Sequence, residues 1–147
     1  MRIEDLRIGN YVDVVLKENN TPIRCEVQRI NHDDKSAVFK DMTNGSEFLV
    51  DTEDIWALVK EVATTENELK NLGFTYDPGL YLDMFSIKGA WFFHEAIVGK
   101  HCDHYELFIE EDAVLHIYKG ITVPSIHLLQ NAVADNYGYR LIRRSSK

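Results

Sequence analysis

The stretch HEAIVGKHCDHYE, residues 94–106, brings three histidines, a cysteine, an aspartate and two glutamates together in one short segment. Imidazole, thiolate and carboxylate are the side chains that ligate transition metals, so metal binding is the first chemistry to weigh. His101 and His104 are the candidate ligands. They supply one pair, whereas a structural zinc site needs four donors and a catalytic one three with an open position. The remaining donors must come from elsewhere, with His94, His116 and His127 as the other histidines of this half. A two-residue turn at Glu111-Asp112 would set His116 opposite Leu107, on the face of Tyr105 and Tyr118, with His104 pointing the other way. A two-residue turn at Lys88-Gly89 would set His94 across from Asp83, which makes it the partner of a carboxylate.

Other chemistries fail on spacing. HEAIV at residue 94 has Val98 where a zinc-protease motif needs a second histidine, and its pattern is that of a strand. GKH at residue 99 lacks the first glycine and the Ser/Thr of a phosphate loop. Cys102 has histidine neighbours, but adjacent side chains on an extended chain diverge, and no GxSxG elbow occurs. Aromatic residues are concentrated in the second half, and most of them must pack a core. With the turns above, Tyr105, His116 and Tyr118 line one sheet face and Trp91 another. A cleft of these residues, with His127 and Arg140 nearby, would suit a flat or anionic ligand such as a nucleotide.

The elements that must position these residues are short. NYVDVVLK, RCEVQRIN, SAVFKDM, EFLVD and WALVKEV read as five strands separated by turn-rich segments, with Asn44-Gly45 the sharpest hairpin signal. Strands this short bury enough surface only in a small curved sheet or barrel. TTENELKNLGF reads as a linking helix, with Thr65 and Glu68 at capping-box spacing and Gly73 as its left-handed end. LYLDMFSI, AWFFHEAI, HYELFIE and AVLHIY predict a four-stranded antiparallel meander. PSIHLLQNAVADNYG predicts a C-terminal helix that covers it, with Ile126, Leu129 and Val133 on one face, Pro124 in its first turn and Gly138 at its end. The fold class is therefore α+β: residues 1–63 form the sheet or barrel, residues 64–147 the helix, meander and closing helix, the two packed as one unit.

LRIGNYV at the start, TENELKNLGF after the first sheet and IHLLQNAVADNYGYRL at the end resemble a family of small proteins of gut-type bacteria, their phages and mobile elements. The resemblance spans nearly the whole chain and implies a shared fold and a phage or mobile-element setting. It carries no activity and no catalytic residues. His127 and Gln130 match polar positions of that family's closing helix, and GKHCDH matches nothing in it.

The formal charge of −8 arises from 24 acidic and 16 basic side chains, and the tail RLIRRSSK holds four of the basic ones and none of the acidic. Such a body repels a phosphate backbone, which disfavours general nucleic-acid coating and leaves local anion sites open. No apolar run reaches membrane-spanning length and no signal-type segment opens the sequence. Two cysteines are too few for a disulfide scaffold, so the expectation is a cytoplasmic protein with no membrane partner.

These readings converge on a non-enzymatic binding protein without a cofactor. It would bind a host protein or sequester a small anionic or aromatic ligand, with homo-oligomerisation left open. The alternatives are a metal-assisted enzyme centred on residues 94–104 and a structural or assembly component.

Overall fold

Tyr11 to Val15 is an apolar, β-branched run broken by Asp13 and followed in sequence by turn-forming residues, and the chain forms a strand there. The computed structural model describes residues 3–16, 21–50, 58–78, 82–88, 95–101, 103–112, 114–115, 117–138 and 140–143. After a 3-10 turn at Ile3–Asp5 come β1 (Tyr11–Val15), β2 (Pro22–Asn31), β3 (Ser36–Asp41), β4 (Glu47–Val50) and β5 (Val59–Glu61). They form one antiparallel sheet in the order β4-β3-β2-β1-β5. Pairing of Val12 with Cys25, Val27 with Phe39 and Ala37 with Val50 puts the apolar member of each alternation on one face. That face, with Leu6 and Val59, is a core of side chains at most 2% exposed. A register shift between Val27 and Arg29 adds a residue to β2, which lets Ile30 rejoin the same core.

The second set of elements begins with α1 (Glu66–Asn71). The Thr65 side chain accepts a hydrogen bond from the Glu68 amide at 3.2 Å, the first half of the capping box. At the other end Gly73 has φ 96°, and the Phe74 amide donates to the Leu69 carbonyl at 3.0 Å. Then follow β6 (Thr75–Pro78), β7 (Asp83–Lys88), β8 (Glu95–Lys100), β9 (Tyr105–Asp112), β10 (Ile117–Thr122) and α2 (Ile126–Tyr137). The strands pair sequentially in a second antiparallel sheet of five, because Thr75–Pro78 adds a strand that the expected four-stranded meander lacks. Ile126, Leu129 and Val133 of α2 are all buried, and the Tyr137 hydroxyl donates to the Phe108 carbonyl at 2.8 Å. The helix starts two residues after Pro124, so that proline precedes its first turn, and Gly138 ends it with φ 73°.

By contacts the chain divides into Met1–Ala63 with Ser125–His127, and Thr64–Pro124 with Leu128–Lys147. Ser125 joins the first group through an antiparallel bridge to Ala63, and the Ile126 amide donates to the Val62 carbonyl at 2.8 Å. Among the described residues no helix is long and apolar enough to cross a membrane.

Two expected registers are corrected. Asp83 pairs with Lys100 and Lys88 with Glu95, so β7 and β8 are not joined by a two-residue turn at Lys88-Gly89; the expected partner His94 lies outside the described residues. β9 continues to Asp112, and Tyr118 pairs with Glu110 after a bulge between Ile117 and Tyr118. Since side chains alternate along a strand, Tyr118 lies on the face of Glu106 and Phe108, and Tyr105 lies on the other. The proposed sharing of one face by Tyr105 and Tyr118 does not hold.

Candidate functional site

The geometry of the hairpin between β8 and β9 decides where its polar residues point. Lys100 pairs with Tyr105, and Gly99 with Glu106, in the last two rungs of the ladder. Beyond them the His101 amide donates to the His104 carbonyl at 2.8 Å, which closes a loop of residues 101–104. Successive rungs alternate faces, so the His101/His104 rung shares a face with the Gly99/Glu106 rung and Lys100/Tyr105 takes the other.

That alternation brings three donors together. The rings of His101 and His104 stack at 4.8 Å between centroids with 15° between planes. His101 Nε2 lies 2.9 Å from Glu106 Oε2, and His104 Nε2 lies 3.3 Å from Glu106 Oε1. Ligand atoms of His101, His104 and Glu106 all lie within 4.8 Å of one another. Two imidazoles and one carboxylate make a donor set suited to zinc and its neighbours in the first transition row rather than to calcium or magnesium, which prefer oxygen alone.

A fourth residue orients the set. His104 Nδ1 donates to Asp103 Oδ1 at 2.7 Å, which leaves Nε2 as the ring atom that turns toward Glu106. The Asp103 hydrogen bond also raises the His104 pKa above its usual value, opposed by desolvation and aided by Glu106. Asp103 is correspondingly lowered by its hydrogen bond to His104. When protonated, His104 donates from both nitrogens to two carboxylates, and a cation at Nε2 would replace one proton.

One glycine leaves room for Glu106 and another for Phe108. A Cβ at Gly120 would stand 2.7 Å from Glu106 Oε2, so a side chain there would displace the carboxylate. The corresponding space at Gly99 is filled by the side chains of Phe108 and Leu82. Phe108 in turn meets the His101 ring edge-on at 6.4 Å.

The other predicted site residues are dispersed. Tyr105 packs on the opposite face, 6.3 Å from the Phe85 ring, with Lys100 Nζ 5.9 Å from its own ring centroid. Tyr118 is half exposed and Arg140 is exposed in an irregular segment. His127 is 3% exposed, beside Ser125, whose Oγ lies 3.2 Å from its Nδ1. Burial holds its pKa below the usual range, against the opposing pull of Glu61 and Asp5. Ser125 is fully buried too, so this pair sits where no substrate reaches, at the start of a helix where serine side chains commonly cap. Gln130, the second polar match in the closing helix, donates to the Leu141 carbonyl at 3.1 Å and holds the chain that follows α2. Cys25 is buried, and desolvation with the nearby Asp41 and Asp13 pushes its thiol up to about 12, so it is no nucleophile. Trp91, His94, Cys102 and His116 lie outside the described residues.

Sequence reasoning found His101 and His104 and missed Glu106. The signal was present in HCDHYE: His104 and Glu106 stand two apart at a strand entry and therefore share a face, as the rungs across the hairpin do. Compared with known proteins, the chain matches no family model and no curated relative.

Proposed function

We propose that this is a binding protein of phage or mobile-element type whose functional centre is a divalent transition-metal site at the β8–β9 hairpin. The observation that carries the reading is the convergence of His101 Nε2, His104 Nε2 and the Glu106 carboxylate on one face of one turn. Asp103 supports it as the carboxylate behind a ligating histidine, an arrangement that fixes the tautomer and strengthens the donor. The phage or mobile-element setting rests on the LRIGNYV, TENELKNLGF and IHLLQNAVADNYGYRL segments. The first sheet, curled as a small barrel, and α2 laid over the second sheet serve as scaffold in this reading. Sequestration of a nucleotide in an aromatic cleft loses support, because Tyr105 and Tyr118 lie on opposite faces.

The test is metal stoichiometry. Purified protein is incubated with Zn2+, freed of excess by gel filtration and analysed by elemental mass spectrometry. One ion per chain is expected, and its loss in the double variant His101→Ala/His104→Ala. Absence of bound zinc, or an ion retained by the double variant, would reject the site.

A further inference from the structure

The three donors come from one side. His101, His104 and Glu106 span a single hairpin turn, and among the described residues no fourth histidine, cysteine or carboxylate joins their group. Asp103 is engaged with His104 Nδ1 and is 88% exposed, so its role is to orient that ring. The ligating side chains themselves remain open, at 36% exposure for His101, 39% for His104 and 25% for Glu106. With these three donors alone a tetrahedral ion would be one short and an octahedral ion three short; Cys102, between the two histidines in sequence, lies outside the described residues. Charge points the same way within the ligand set itself: a divalent ion against the Glu106 carboxylate keeps a positive charge, with the Asp103 carboxylate held behind the His104 ring at Nδ1.

Resting on the metal reading, we infer that the bound ion keeps an exchangeable coordination position facing solvent, and that this position takes an oxygen anion, the carboxylate or phosphate group of a ligand. The hairpin is then an anion receptor whose charge is supplied by the metal. That reconciles a body of net charge −8 with recognition of a negatively charged partner group.

Cobalt(II) is the probe, because its visible absorption reports the number and kind of its ligands. The protein is loaded with Co2+ and titrated separately with acetate and with inorganic phosphate, and both titrations are repeated in Cys102→Ser. A saturable change in the visible bands with either anion, unaltered by Cys102→Ser, is expected, and the anion that saturates at lower concentration identifies the ligand group. Bound cobalt with no response to either anion overturns the inference while the metal site stands. So does a near-ultraviolet sulfur-to-cobalt band that vanishes in Cys102→Ser, since the shell would then be closed by a thiolate. Failure to bind cobalt at all removes the metal site and this inference together.

Discussion

The first sheet and the β8–β9 hairpin of the second spend their polar loop residues differently. In the first sheet the turn side chains bond mainly to the backbone: Asn31 Oδ1 accepts from the Asp33 amide, Asp34 from the Ser36 amide, Asp41 from Thr43 and Asn44 from Ser46, with Asp34 also accepting from the Asn31 and Ser36 side chains. These are local Asx-type bonds, which fix a turn and leave little side-chain capacity for anything else. At the β8–β9 loop one backbone bond, from His101 to His104, closes the turn. The side chains of His101, Asp103, His104 and Glu106 then bond one another. Polar groups the turn does not require are available to a ligand, and on the proposed reading stability and chemistry fall in different places.

That separation can be broken by substitution, and the largest effect belongs to the first sheet. Phe39 is fully buried among the strands, so Phe39→Ala should cost about 3–5 kcal/mol, read from the shift of the urea midpoint. At the hairpin the expected loss is in binding instead. Asp103→Asn should weaken Zn2+ affinity about 10- to 100-fold by calorimetric titration while leaving the midpoint of the metal-free protein in place. A large destabilisation by Asp103→Asn would mean that the hairpin polar cluster is structural. Gly120→Ala sharpens the same contrast, since its methyl group would shift the Glu106 carboxylate without altering a ligand; a measurable loss of Zn2+ affinity with unchanged circular dichroism is expected. Thr65→Ala, which removes the α1 cap, should cost about 1 kcal/mol of stability.

The smallest expected effect is a pH dependence. Burial lowers the His127 pKa below its usual 6.5, so protonation favours the unfolded chain. The stabilising contribution is fully present above about 6.5 and is lost as pH falls through the lowered folded value. Urea midpoints measured across this range should fall less steeply with acid in His127→Gln than in the parent.

Local signals were legible in the sequence wherever a short-range interaction fixed the outcome. The cap at Thr65, the left-handed Gly73 and Gly138, and the buried stripe of α2 all depend on residues within one or two turns. All five strands of the first sheet were visible because turn-forming segments separate them. Register was not. Assigning two-residue turns at Lys88-Gly89 and Glu111-Asp112 moved every cross-strand partner, and a bulge at Ile117/Tyr118 changed the pairing again. Face assignments inherit each such error, which is why an aromatic cleft was expected from Tyr105 and Tyr118. β6 escaped notice because Thr75–Pro78 is wholly exposed and has no buried alternation to announce it. The candidate site was half legible for the same reason: the histidines were visible by type, and Glu106 only by a face that depends on knowing where the loop closes.

The central claim is that His101, His104 and Glu106 ligate one metal ion, and zinc K-edge X-ray absorption of the zinc-loaded protein tests it most directly. The account predicts a shell of nitrogen and oxygen at about 2.0–2.1 Å, with the outer scattering of two imidazole rings and no sulfur. A sulfur shell at about 2.3 Å, or a spectrum of hydrated zinc without imidazole scattering, would contradict it.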